Sequence, residues 1–287
     1  MFAVYKRELQ SFFTSMIGYL VIAAMLLFMG IYFVFLNIRN GNSSFAYSLY
    51  SITFIFVIAI PILTMRSISE DRKTKTDQLL LTSPASVASI VMGKFLSMCT
   101  VIGIVSIISC IYPIILRSMG ATGILVDYST ILAFFLFGCA AIAIGLFISA
   151  LTESQILASI GTFGVLLILQ LINSIKELLP TSALGSYLGI SLILFIACAI
   201  IYNITKNWII SVGAAGVGFA ILSIIYFVKS SLYESLLPNF LAKLSFNERL
   251  YNFYNRIFDV PSLVYFISVI FVFLFLTIQT IEKRRWS

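Results

Sequence analysis

Histidine is absent from this 287-residue chain, and only 10% of its residues are charged. The first absence removes the commonest general base and metal ligand from any mechanism. The second excludes an ordinary soluble domain, which carries about a quarter of its residues as Asp, Glu, Lys or Arg. Cysteine is sparse as well. Cys99, Cys110, Cys139 and Cys198 all fall inside apolar runs without CxxC or metal-site spacing, so they read as small buried hydrophobes. Period-2 alternation is missing too, which removes the signal of a membrane barrel.

What the chain has is hydrocarbon. Hydrophobic residues make up 61% of it, and the mean hydropathy is +1.08. Eight apolar runs stand out, at about 16–36, 45–65, 95–116, 128–150, 155–173, 187–203, 208–228 and 262–281. Most reach the roughly 20 residues that a helix needs to cross the hydrocarbon core. The expected fold is therefore an all-α polytopic membrane protein with about eight transmembrane helices, built as a single domain over 1–287. The short run at 187–203 is either a full span or half of a re-entrant hairpin with its neighbour, which makes the count eight, or six plus a hairpin.

Orientation follows from lysine and arginine. With the N-terminus inside, eleven of them (Lys6, Arg7, Arg66, Arg72, Lys73, Lys75, Lys94, Lys206, Lys283, Arg284 and Arg285) fall on inner segments and seven on outer ones. Positive residues are retained on the cytoplasmic side, so both termini are expected there. The net charge of +7 is spread over span ends rather than gathered on a soluble face, which argues against nucleic acid. The run at 16–36 is too long for a signal-peptide core, and no small-residue cleavage site closes it. Ahead of it, Phe2, Tyr5, Leu9, Phe12 and Met16 share one helical face, which predicts an interfacial amphipathic helix over 1–15. A polar-flanked outer loop at 229–261 predicts two more amphipathic helices, one on Leu232, Leu236, Leu237, Phe240, Leu241 and Leu244, the other on Phe246, Leu250, Phe253, Ile257 and Phe258.

The energy source is the next question. Ion-coupled carriers place carboxylates or histidines at membrane depth, and no charged residue lies mid-run here. Asp127 and Glu153 stand at span ends, as satisfied boundary residues do. There is no P-loop: Gly93–Lys94 lacks both the earlier glycine and a following Ser or Thr. Energy for transport would thus arrive from outside the chain. One stretch is suited to receive it. Between Arg66 and Asp77, seven of twelve positions are charged, and Leu79, Leu80 and Leu81 follow. Pro84 ends that element, and a new helix from about Ser86 runs through Lys94 into the third span. The segment 66–94 is expected to be cytoplasmic, with the charges registering a soluble partner and the leucines gripping it.

These residues resemble a family. The string Ser69-Glu-Asp-Arg-Lys-Thr-Lys-Thr-Asp-Gln-Leu-Leu-Leu-Thr-Ser-Pro84 is similar to the cytoplasmic signature of type-2 permeases of ATP-binding-cassette (ABC) transporters. Four further pieces resemble its gliding-motility GldF-like branch. They are Phe12–Phe13 with Ile17-Gly-Tyr-Leu20, Ile60–Pro61 with Thr64-Met-Arg66, Gly145 through Thr152, and Phe253 through Tyr265-Phe-Ile-Ser268 with the basic tail Lys283-Arg-Arg-Trp286. Lys75 stands where that family commonly has glycine, and Gln78 where it commonly has glutamate.

The resemblance implies a non-catalytic permease half of an exporter. Two halves, the same chain or a paralogue, would pair in the lipid, each docking a cytoplasmic ABC ATPase subunit, so two ATPase copies in all. The chain would hold no cofactor; ATP and Mg would sit on the ATPase. Docking would fall to Glu70, Asp71, Arg72, Lys73, Thr76, Leu79, Leu80, Leu81 and Thr82 of a coupling helix. The competing reading is a membrane anchor or assembly subunit that does not transport. Within the spans, Gln170 and Asn173 are the candidates to face a substrate path, against the plainer role of an interhelical hydrogen bond. An uncharged path suits lipid-like, peptide or drug-like cargo better than ions or sugars.

Overall fold

A computed structural model describes residues 1–76, 86–121, 123–179, 182–187, 189–191, 194–195, 216, 219, 223, 236–255 and 257–285. Every regular element among them is helical: α1 (Phe2–Thr14), α2 (Ile17–Tyr32), α3 (Phe45–Ile52), α4 (Phe56–Thr64), α5 (Ser69–Lys73), α6 (Val87–Ser109), α7 (Ile111–Ser118), α8 (Ile124–Leu151), α9 (Gln155–Leu178), α10 (Leu236–Leu244), α11 (Phe246–Tyr254) and α12 (Val260–Arg285). Six stretches are long and apolar enough to cross a bilayer, namely Ile17–Arg39, Phe45–Lys73, Val87–Ser118, Ile124–Leu151, Gln155–Leu178 and Val260–Lys283. The protein is thus an all-α polytopic membrane protein. The expected runs at 187–203 and 208–228 fall largely outside the described residues.

Two compact units divide the chain. The first holds Met1–Gln170 and Arg249–Ser287, and the second holds Leu171–Glu248. In the first, α8 is the central helix: 72% of its most apolar window is enclosed by protein, against 22% for the first span. It packs on α12, α6 and α4. Lipid supplies no hydrophobic drive between helices, so this packing rests on close van der Waals approach, which small residues permit. A Cβ on Gly145 of α8 would stand 2.5 Å from Thr64 Oγ1, and one on Gly138 would stand 3.0 Å from Ile102 Cγ2 and Phe56 Cε1. In the second unit, Lys176 forms an ion pair with Glu248.

The first two spans are irregular. The α2 helix continues as a π-helical turn over Phe33–Arg39. Between α3 and α4 the helix tightens to a 3-10 turn at Thr53–Ile55, and Pro61 lies within α4, where its ring cannot donate to the preceding turn.

At the end of the bundle where α2 turns into α3, backbone groups are satisfied by buried side chains. Asn37, 3% exposed, donates through Nδ2 to the carbonyls of Asn42 and Ser44, both at 2.8 Å, and its Oδ1 accepts from Ser48 Oγ at 2.5 Å. Asp127, also 3% exposed, accepts from Ala46 N at 3.2 Å and Ser44 Oγ at 3.3 Å. It thereby caps the N-terminus of α3 from another helix, where a carboxylate also suits the helix dipole. The expectation of a satisfied boundary residue holds. At the same end Asp259 precedes α12 and accepts from Ser262 Oγ (2.5 Å) and Asn252 Nδ2 (2.7 Å). The Ser262 hydroxyl, with help from Asn252 and Arg249, holds the Asp259 carboxyl below the ordinary range against a partial desolvation.

The amphipathic segments come out with altered faces. The α1 helix forms as expected, with Phe12 buried and Phe2 75% exposed, as a residue of a lipid-facing stripe would be. Met16 is not part of the helix at all. It takes a left-handed φ of 60° in the sharp corner before α2, and Gly18 makes room there for the Phe12 carbonyl, 3.1 Å from its notional Cβ. In α11, Leu250 and Phe253 are buried, while Ile257 and Phe258 lie past its end and are exposed. Pro238 sits in the first turn of α10, where a missing N–H costs nothing.

Candidate functional site

The charged stretch after the second span is short and half-buried rather than simply solvated. Its helix, α5, has Glu70 and Asp71 in the first turn and Arg72 and Lys73 in the last, which suits the helix dipole at both ends. Such a short helix cannot stand alone, since nearly all its terminal backbone groups lack intrahelical partners. The last turn of α8 supplies them. Ser149 Oγ, fully buried, accepts from Ile68 N at 3.3 Å and Ser69 N at 3.2 Å. In return, Arg72 Nη1 donates to the Ala150 carbonyl, one of the orphan acceptors at the C-terminus of α8. Two helix ends thus satisfy each other.

The exit from α5 is a left-handed turn. Lys75 has φ 57°, just beyond the helix C-cap Thr74, and its N–H donates to the Arg72 carbonyl at 3.1 Å. This is the helix-ending position that glycine normally fills. Lysine occupies it because flanking hydroxyls hold the turn: Thr74 Oγ1 donates to the Glu70 carbonyl at 2.8 Å, and Thr76 Oγ1 to Asp71 Oδ1 at 3.2 Å. Lysine at this position therefore leaves the turn in place.

Lys94 joins this element to two others. It is 3% exposed in α6, and an ammonium there requires three acceptors for its three protons. It finds them in Asp71 Oδ2 at 2.7 Å, Glu8 Oε1 of α1 at 3.1 Å and the Ser67 carbonyl at 2.6 Å. Gly93 permits the approach, because a Cβ there would meet Val4 at 3.1 Å and the Met1 carbonyl at 3.2 Å. Tyr5 and Thr100 hydroxyls, 3.0 Å apart, add a further bond between α1 and α6. A cleft of about 370 Å³ opens beside the cluster, lined in part by Arg66, Glu70 and Ser67.

Of the expected docking residues, Lys73 and Thr76 are exposed, and Glu70 and Asp71 are partly exposed. Arg72 is only 7% exposed and turned inward; its Nε and Nη2 have no hydrogen-bond partner. Leu79, Leu80, Leu81 and Thr82 lie outside the described residues. Gln170, in the first unit, donates through Nε2 to Thr53 Oγ1 at 3.2 Å, beside the 3-10 turn of the second span. Asn173 belongs to the second unit, where its buried Oδ1 has no partner. Glu8, Lys94 and Ser149 were not picked out from the sequence. Glu8 did leave a trace, being the sole acid before Glu70, on a helix otherwise basic. Among the described residues no group of three or more His, Cys, Asp or Glu could hold a metal ion.

The model of the ABC-2 family transporter protein matches residues 31–175, half of the chain. The chain belongs to the ABC-2 transporter family. No curated protein and no solved structure matches it. As an ABC-2 permease it is a membrane-transport subunit of an ABC transporter, from a family whose membrane subunits are generally non-catalytic and typically work with an ABC ATPase. The matched stretch takes in α5, Lys94 and the α8 exit, whereas Glu8 lies before it.

Proposed function

We propose that this ABC-2 permease is the membrane half of an exporter, powered by a separate cytoplasmic ATPase that docks on the segment 66–84. The observation that carries this reading is the anchoring of α5. Its first turn is bonded to Ser149 and its last to Ala150, and Asp71 is locked to Lys94, so force on α5 reaches α8, α6 and α1 together. A solvated loop has no need of such bracing. The ATPase would bind ATP and Mg, and this chain would hold no cofactor. Two permease halves, identical or paralogous, would pair with two ATPase copies in a bacterial inner membrane, with both termini cytoplasmic and the 229–261 loop outside. The order of the quoted motifs along the chain supports the GldF-like branch. Gln170 and Asn173 are kept as substrate-path candidates, and cargo of lipid-like, peptide or drug-like character suits the uncharged spans.

The test uses Lys73, which is exposed and outside the bracing contacts. Lys73→Glu should insert into membranes normally but lose co-purification of the ABC ATPase. Undiminished recruitment would remove α5 as the docking element. Reconstituted, substrate-stimulated ATP turnover separates transport from an anchoring role.

A further inference from the structure

Among the described residues, the cleft beside the Lys94 cluster holds one charge of each sign that has no ion-pair partner. Of the charges on its wall, Arg7, Glu8, Asp71 and Lys94 are joined to one another by ion pairs. Arg66 and Glu70 are not, although they stand four residues apart in the sequence. Both are at the rim: Arg66 is exposed and Glu70 half-buried. Hydroxyls of Ser11 and Ser15 share the wall, and Ser67, also on it, is 5% exposed with its own hydroxyl unpartnered. Phe12 and Ile17 form the apolar part.

The location is set by chain geometry. Ile17 opens the first span, and Arg66 follows the end of α4 by two residues, so the cleft sits where two spans leave the hydrocarbon. That is headgroup depth, with apolar residues on one wall and ions on the other. We infer that this cleft binds a zwitterionic phospholipid of the ethanolamine class, its phosphate on Arg66 and the serine hydroxyls, its primary ammonium on Glu70. Charge balance selects this occupant. An anionic headgroup without an ammonium leaves Glu70 unmatched beside a phosphate, and a quaternary choline cannot donate a hydrogen bond to the carboxylate. Phe12 and Ile17 guide the acyl chains toward the bilayer. The site is a property of the permease itself and stands whether or not α5 docks an ATPase.

Native mass spectrometry of the purified full chain tests it, with delipidated protein titrated by phosphatidylethanolamine, phosphatidylcholine or phosphatidylglycerol in detergent. Phosphatidylethanolamine should be retained about tenfold better than the other two, the scale of one charge-assisted hydrogen bond. Arg66→Ala should weaken its retention about tenfold, Arg66→Lys much less, and Glu70→Gln should abolish the preference over phosphatidylcholine. Lys6→Ala, an exposed cation of α1 off the cleft, should change nothing. Equal retention of all three lipids, or equal loss in Lys6→Ala and Arg66→Ala, would overturn the site in favour of general surface attraction. If Arg66→Ala leaves lipid retention intact but loses ATPase recruitment, the cleft belongs to the ATPase and the lipid assignment is wrong.

Discussion

The two ends of the first unit are held together by different chemistry. Where α2 turns into α3, neutral amides and a capping carboxylate satisfy one another: Asn37 spends both its oxygen and its amide nitrogen, and Asp127 caps a neighbouring helix. At the α5 end, ions cross-link three elements, and capacity is left over. Arg72 has two unpartnered nitrogens, Arg66 and Glu70 make no ion pair, and Lys75 sits in a strained left-handed turn. Buried polar groups without partners are costly, and they persist where function over-determines the geometry. The first end leaves Arg249 Nε without a partner; the α5 end leaves more, at Arg66, Glu70 and Arg72.

Breaking the α5 end should cost most. Lys94→Met removes the cation that Glu8, Asp71 and the Ser67 carbonyl share. Removing one partner of a buried ion pair costs about 3–5 kcal/mol. The two carboxylates retain 14% and 21% exposure, so water recovers part of this, and about 3 kcal/mol is expected. Thermal unfolding of the detergent-purified chain measures it. Glu8→Gln in the Lys94→Met background should then add less than about 1 kcal/mol, because its bond to Lys94 is already gone and only the exposed pair with Arg7 remains.

At the opposite end the loss is smaller. Asp127→Ala deletes the cap of α3 and leaves Ala46 N and Ser44 Oγ without that acceptor. Losing an N-cap costs about 1 kcal/mol. Asp127→Asn should recover most of it, since an amide oxygen still accepts. The comparison sharpens if the two ends also differ in salt response. The Lys94→Met penalty should shrink at high ionic strength more than the Asp127→Ala penalty, since only the first removes an ion pair with a partly exposed rim.

Much of this frame was legible in the sequence. Long apolar runs with charges confined to their ends left few alternatives to a helical membrane protein, and the charge density at Arg66–Asp77 pointed to α5. Lys94 was harder to read. It falls on a helix just ahead of an apolar run, and nothing local reveals that Glu8, 86 positions earlier, comes within 3.1 Å of it. Ser149 was harder still, since a serine in the last turn of a span is ordinary and its acceptor role arises only from packing. Met16 misled for the opposite reason. The spacing of Met16 fits the helical face, but α1 ends at Thr14 and the corner puts Met16 outside it, while Phe2 stays on the helix. Periodicity reports which residues share a side, not which side another element will cover.

The turn at Lys75 offers the finest test of whether the α5 end is held short of its own optimum. A non-glycine residue in the left-handed region costs about 1–2 kcal/mol relative to glycine, and glycine repays about half of that by its greater freedom in the unfolded chain. Lys75→Gly should therefore stabilise the turn by only about 0.5 kcal/mol, too little for a clear thermal shift. Hydrogen exchange at the amides of Thr74 and Lys75, which donate to Glu70 and Arg72, is local enough to read it and should slow about twofold. Slower exchange with unaltered ATPase recruitment would mean that the strain is incidental and that the threonine bonds alone set the turn. Slower exchange with weakened recruitment would mean that the lysine itself, held outward by a turn that glycine would make more easily, is what the partner contacts.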